Sequence, residues 1–502
     1  MKFPIEHYPG MNRFVLDWMG GDERFLRRDP HPALRYAQGH PLPQAGEGLT
    51  NALADSNRRW GLAAGDEIRR WAAGGTYTVI AGQQVGFAGG PLYTLAKIAS
   101  LLKIKRDNEA RGIPTTAFFW LATEDHDFDE AATISIPRRE AKGQLDLITL
   151  RARHAFESRQ IVGSQQVPEA LIVELLALLE MERPSWLREG ITFRDSFAEL
   201  IATAVGGKMI LVDALLPELH REGQPLFDAI IAKWNDIQRA LEQRAAALRE
   251  AGYAPQILPR EGDGYTLLYE LDEHGNRDLV DSPRPLAAPE RVSTSALTRP
   301  LLQDFVFRPD LFIGGPAEVA YYAQIAPLHE LLNVPLPRVG LRAHALVAPR
   351  RVLRAFERYA IEPAEIFAGA DALLAEREPA GVAEIKALAD TARRDLADRL
   401  TRIGEIALPA DHALARAVSR SIGHIEYHFD KLAERAVRAL GRKDRERWTA
   451  VRELVSILYP DHHVQDRVVG WIAYWCELRD DLVARLIEEV EPDAPVCKII
   501  EL

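Results

Sequence analysis

One short segment of the 502-residue sequence, FFWLATEDHDFDE, gathers Glu124, Asp125, His126, Asp127, Asp129 and Glu130. Carboxylates packed this densely repel one another unless something positive is bound among them. An ammonium group is one such ligand. The histidine among them can be oriented by its neighbours and serve as a general base, with Asp125 and Asp127 supporting it. The structural alternative is an acidic loop that caps the following helix, because Asp is a good N-cap. A divalent metal would also suit oxygen and imidazole ligands, but the spacing matches no specific metal motif, so no metal is predicted.

A second candidate lies upstream, in VIAGQQVGFAGGPLYTLAK. Gly82, Gly86, Gly89 and Gly90 admit backbone geometries and close approaches that a side chain would block. A helix opening at Pro91 would turn its free N–H groups and positive dipole end into that turn, which suits a carboxylate or phosphate. Gln83 and Gln84 offer amide donors and acceptors there. Lys97, about a turn beyond Tyr93, can bring up an ammonium as a mobile positive charge. The alternatives are a turn that needs glycine for packing alone and a solvated helix lysine.

The third candidate is FIGGPAEVAYYAQ, where Gly314 and Gly315 close a strand and Glu318 sits in the first helical turn, with Tyr321 beyond it. Glu318 can bind an ammonium group or simply complement the helix dipole. RVGLRAH adds Arg338, Arg342 and His344, and an arginine can grip a carboxylate with two parallel bonds. The pair His462 and His463 resembles a metal site only superficially, since adjacent helical residues point in different directions.

Positioning these groups requires strands that end where the chemistry begins. TYTVIAG, the helix PLYTLAKIASLLKIKRD and TTAFFWLA form a strand–helix–strand unit, hence a parallel sheet. The alternation returns at GKMILVDALLPELHREG and at DLFIGGPAEVAYYAQ, which indicates a doubly wound α/β domain with ligands at the carboxyl ends of its strands. Residues near 137–200 and 255–300 break the pattern and read as insertions. From 371 to 456 the sequence becomes long helical segments, with a turn at Pro409 and Asp411, and predicts a hairpin or coiled coil. The end, VVGWIAYWCELRDDLVARLIEEV in 457–502, reads as one amphipathic helix packing back on the core.

Length implies two or three structural units. A formal net charge of -11 argues against a nucleic-acid partner, because phosphate binding wants a basic surface. The two cysteines, Cys476 and Cys497, make no metal or disulfide framework, and no apolar run is long enough for a membrane helix. The expected location is the cytoplasm.

Taken in order, GQQVGFAGGPLYTLAK, FFWLATEDHDFDE, RPLLQDFVF, IGGPAEVAYYAQ and VQDR resemble the bacillithiol-biosynthesis cysteine-adding enzymes, the BshC family. Asp466 of VQDR stands where that family usually has Glu. The resemblance implies a Rossmann-like core carrying connecting-peptide insertions, plus a coiled-coil domain that makes a homodimer. It also implies a ligase that places cysteine on the amino group of glucosaminyl-malate. The binding residues would be Gln83, Gln84, Gly86, Gly90, Pro91, Tyr93, Glu124, Gly314, Gly315, Glu318, Tyr321 and Arg342, and the catalytic ones His126, Asp125, Asp127 and Lys97. The turn at GGPLYTLAK corresponds to the ATP contact of class I synthetases, so ATP is an allowed co-substrate, although no motif in the sequence demands it. The competing reading is a non-catalytic assembly or anion-sensing protein that works through its helical arm.

Overall fold

The computed structural model describes all residues except 29–44, 140–144, 153–158, 376–380, 408–413 and 441–444. Its centre is a parallel sheet of five strands: β1 (Tyr77–Gln84), β2 (Thr115–Ala122), β3 (Ile210–Asp213), β4 (Leu311–Gly314) and β5 (Arg338–Leu341). Their spatial order is β5-β4-β1-β2-β3. Each strand is a run of apolar residues buried on both faces, as a parallel sheet covered by helices requires. Tyr77 pairs with Thr115 and Gln84 with Ala122, while Val79 pairs with Leu311 on the other side.

The strand order reverses between β1 and β4. At such a point neighbouring connections leave in opposite directions and open a crevice beyond the carboxyl ends. Two helices start at its rim, α1 (Leu92–Ala110) after β1 and α2 (Pro316–Leu331) after β4. The regions read as insertions carry a hairpin of Thr133–Arg139 with Leu145–Arg151, and an antiparallel sheet of Leu268–Leu271, Arg277–Val280 and Val292–Thr294. A further small sheet joins Lys2–Pro4, His344–Ala348 and Val496–Glu501.

The sequence after His463 is not one helix. It forms Gln465–Val468, Ile472–Leu478 and Asp480–Glu489, then ends in the strand Val496–Glu501. The first break falls where Gly470 bridges to Pro91 and Val469 to Ser135; the second is at Arg479, with φ of 51°. Tertiary pairing overrides the helical period here, because the segment must lay an extended stretch against the turn that precedes α1. Trp471, Ile472, Trp475, Leu482 and Leu486 are buried in the same core as β1 and α1.

Contacts divide the chain into two compact units, Met1–Arg138 with Asp146–Ala348 and His463–Leu502, and Arg139–Leu145 with Pro349–His462. The second unit therefore starts before 371: the helices Arg350–Arg358 and Ala370–Ala375 belong to it. Its long helices, Val382–Ala407 and Leu414–Leu440, run antiparallel, with Arg393 at 3.6 Å from Asp430 and Gly404 facing Val418. The turn expected at Pro409 and Asp411 lies outside the described residues. Among those residues, no helix is long and apolar enough to cross a membrane.

Candidate active site

Two cavities open at the reversal point. One, of about 500 Å³, is lined by Gly86, Gly90, Pro91 and Thr94 together with Asp127, Asp129, Glu130 and Arg151. The other, of about 590 Å³, is lined by Lys97, Asp125, Arg299, Gly315, Glu318, Tyr321 and Arg342. Gln83, Gln84, Tyr93 and Arg467 line both. The glutamines come last in β1, so they stand at the carboxyl edge and divide an acid-rich chamber from a cation-rich one.

The dividing wall is held by hydrogen bonds. Gln83 Nε2 donates to the Tyr93 hydroxyl at 3.3 Å, and Gln84 Nε2 to the Asp127 carbonyl at 3.4 Å. Burial, then the charge of Glu130, pushes the Tyr93 phenol up to about 12, so it stays neutral. Lys97 is not mobile. Its Nζ donates to the Gly82 carbonyl at 2.6 Å, to Gln83 Oε1 at 3.1 Å and to Glu318 Oε2 at 2.5 Å. Burial drives the Lys97 pKa below that of an ordinary lysine, and Glu318 opposes the shift. Glu318 Oε2 also accepts from the Gly315 amide at 2.7 Å. The ammonium thus ties the ends of β1 and β4 together across the crevice.

Asp466 is fully buried behind this wall. Its Oδ1 accepts from the Tyr8 hydroxyl at 2.5 Å, and Arg342 Nη2 lies 3.2 Å from Oδ2 as an ion pair. Arg342 also rests on the Tyr93 ring, 5.4 Å from its centroid. The neighbouring Gln465 grips the strand His344–Ala348 with a pair of bonds to Val347, accepting from its amide at 2.7 Å and donating to its carbonyl at 2.8 Å. Arg467 then emerges into both cavities. In VQDR, consecutive residues fasten a strand, neutralise an arginine and line the site.

The acidic segment is split by the fold. Asp125 Oδ1 accepts from the amides of His126 and Asp127 at 2.6 and 3.2 Å, and Asp127 caps the short helix Phe128–Ala131 through the Glu130 amide at 2.9 Å. The capping alternative is therefore realised, yet Asp125, Asp127, Asp129 and Glu130 still reach cavity walls. Partial desolvation at the cavity wall, then Asp127 and Asp125, raises the carboxyl of Glu130, an otherwise exposed residue, above the usual glutamate range. Three expected site residues lie elsewhere. Glu124 is buried and accepts from Ser293 Oγ and Thr294 N at 2.8 and 2.9 Å and from Thr294 Oγ1 at 2.5 Å, so it fastens the antiparallel sheet instead of a ligand. Gly314 serves packing: a Cβ there would sit 2.7 Å from the Phe312 ring. His126 lines neither cavity; its Nδ1 accepts from Arg277 Nη1 at 3.2 Å.

The helix start at Pro91 also differs from an open anion cradle. The Leu92 amide donates to the Val469 carbonyl at 2.8 Å, and Trp471 Nε1 donates to the Gly89 carbonyl at 2.9 Å. A Cβ on Gly89, whose φ is +87°, would meet the indole at 2.5 Å, so this glycine is required by the tryptophan.

The profile of the N-terminal Rossmann-like domain of bacillithiol-biosynthesis BshC matches residues 33–284 and 282–343, and that of its C-terminal coiled-coil domain matches 345–502. The chain belongs to the BshC family. Relatives in Koribacter versatilis, Solibacter usitatus and Geobacillus kaustophilus carry the name "Putative cysteine ligase BshC". The first is 28% identical, covering 97% of this chain and 96% of its own. The second is 29% identical over 84% of each, and the third 26% over 95% of this chain and 93% of its own. Most of the lining of both cavities thus falls in the BshC Rossmann-like match, while Arg467 comes from the part that matches the C-terminal domain. Motif reading missed Arg151, Arg299 and Arg467 as lining residues of this BshC site. The last two stand inside RPLLQDFVF and VQDR, but their roles depend on groups brought from distant segments.

Proposed function

We propose that the chain is a cysteine ligase that joins the carboxyl of cysteine to the amino group of glucosaminyl-malate, the last step of bacillithiol synthesis. The observation that carries this reading is the pair of adjoining chambers of opposite character, shared through Gln83, Gln84, Tyr93 and Arg467, in a chain of the BshC family. Both substrates carry an ammonium and at least one carboxylate. An acid-rich chamber beside a cation-rich one can hold each end and bring an amine against a carboxyl at the dividing wall.

The amine attacks only as the free base, so a proton acceptor must face it. Glu130 suits that role: its carboxyl lines the acid-rich chamber and holds a proton more tightly than an ordinary glutamate. Asp127 and Asp129 would clamp the ammonium beforehand. If ATP activates the cysteine carboxyl, the groups that suit its phosphates are Lys97, Arg299, Arg342 and Arg467; the three carboxylates of the other chamber would repel them. The two unpaired cysteines support a cytoplasmic location.

The deciding experiment is a reconstituted assay with cysteine and glucosaminyl-malate, run with and without ATP, alongside thiol profiling of a deletion strain. Bacillithiol formation in the first, and its loss with glucosaminyl-malate accumulating in the second, are expected. Unchanged thiols in the deletion strain would remove the reading.

A further inference from the structure

We infer that Arg299 and the hydroxyl of Tyr321 together anchor an oxyanion of the substrate in the cation-rich cavity. The other cations of that cavity are each neutralised or hydrated. Lys97 has Glu318 at 2.5 Å, and Arg342 has Asp466 at 3.2 Å. Arg467 is exposed, lies over the Tyr8 ring and keeps contact with water. Arg299 has neither solution. It is partly buried, and its side-chain partners among the described residues are neutral: Gln303 Oε1, 3.4 Å from Nη1, and the Tyr321 hydroxyl, which accepts from Nη2.

Glu318 and Glu124 act on Arg299 at longer range, but both are already engaged, the first by Lys97 and Gly315, the second by Ser293 and Thr294. A guanidinium drawn partly out of water without a counter-charge is unfavourable unless another group supplies that charge. Here the open side of Arg299 is the cavity itself.

Tyr321 completes the site. Its oxygen accepts from Arg299, which leaves its own hydrogen without an acceptor among the described residues. Burial raises its phenol well above the ordinary range, so that hydrogen stays in place. Its ring is stacked on Tyr322 at 5.7 Å, and Tyr322 is in turn bonded to Asp304, so the hydroxyl is held in one place. An arginine N–H and a phenol O–H converging on one cavity suit a carboxylate or a phosphate oxygen. On the ligase reading these are the malyl carboxylates of the acceptor or the phosphates of ATP. The inference rests on that reading only for the identity of the anion.

The test is calorimetric titration of the full-length protein with glucosaminyl-malate, free malate, ATP and methyl glucosaminide, which lacks carboxylates. Arg299→Gln should weaken binding of the malyl ligands about 10–100-fold and leave methyl glucosaminide unchanged. A loss confined to ATP would support the anchor and identify its oxyanion as a phosphate. Arg299→Lys should recover part of the affinity, because it keeps the charge without the fork. Tyr321→Phe, which preserves the ring stack, should cost roughly 3–10-fold. Unaltered affinity for every anion in folded Arg299→Gln overturns the proposal, and so does unaltered affinity in Tyr321→Phe should Arg299→Gln fail to fold. Wild-type protein that neither binds nor converts glucosaminyl-malate would count against the ligase reading alone, since the malate and ATP titrations still report on the anchor.

Discussion

Arg277 donates from Nη1 to His126 Nδ1 across 3.2 Å, while its Nη2 donates to the Thr294 carbonyl at 2.6 Å and its guanidinium lies 3.9 Å above the Tyr269 ring. A guanidinium has no lone pair, so the imidazole Nδ1 is the acceptor, and Asp125 Oδ1 lies 3.6 Å from the same nitrogen. His126 is therefore tied to the antiparallel sheet, which leaves Glu130 as the proposed acceptor of the amine proton.

It follows that Glu130→Gln should lower kcat by ~10²–10⁴-fold, the usual cost of losing a positioned acid–base group. His126→Ala should cost less than about tenfold on the same scale. Steady-state kinetics of the two variants decide the matter, and the opposite ranking would return the base role to His126.

The same glutamate links function to stability. Its folded pKa is raised, so the native state binds the proton more tightly than the unfolded chain. Glu130 thus favours folding fully below the unfolded glutamate pKa, and this contribution is lost as pH rises through the folded value. Gln carries no charge at any pH. Glu130→Gln should accordingly melt higher than wild type near pH 8, with the gap closing on acidification below the ordinary glutamate range. Thermal melts across that pH series measure it, and a gap that widens towards acid would refute it.

Asp466→Asn should be strongly destabilising, by about 3–5 kcal/mol, because it strands the buried Arg342 without a counter-charge. Tyr8→Phe, which removes one hydrogen bond to the same charged carboxylate, should cost less, about 1.5–3 kcal/mol. Denaturant unfolding of both variants gives the comparison. Equal losses would show that the Arg342 pair matters little.

The helical arm leaves apolar side chains in water. Leu388 and Leu432 are 63% and 62% exposed, with Ile403, Ile406 and Tyr427 also outside the hairpin interface. Leu396, Leu400, Ile422, Ile425 and Phe429 are only partly buried. A second copy of the arm would cover them, so light scattering at micromolar concentration should report twice the 56.1 kDa chain mass. Leu388→Glu with Leu432→Glu should shift the protein towards monomer, and a monomeric wild type would dispose of the dimer.

Much of the fold was legible because its signals are local. The strands at Tyr77–Gln84, Thr115–Ala122 and Leu311–Gly314 are short apolar runs, the first ending in glutamine, the last in glycine and the middle one leading into the acidic segment, and the helices after the first and last of them open on proline. The break of the C-terminal segment at Gly470 was not legible, since it answers to the Pro91 turn, hundreds of residues away. Charge density at 124–130 marked a segment of which four carboxylates line the cavities, but it could not rank the members.

That ranking was tertiary. Glu124 and His126 were drawn off by Thr294 and Arg277 of an inserted sheet, whereas Asp125, Asp127, Asp129 and Glu130 kept faces on the cavities. The sequence by itself determined the residue types, the strand ends that carry them and the ordered motifs of the family, because apolar period and turn chemistry are written in neighbouring residues. Which carboxylate meets which cation was decided only when β1, β4, β5 and the C-terminal segment came together. Lys97 then reached Glu318, Arg342 found Asp466, and Arg299 was left facing the cavity. A charge in a folded protein is defined by its burial and its nearest opposite charge, and both are set by chain segments far apart in sequence.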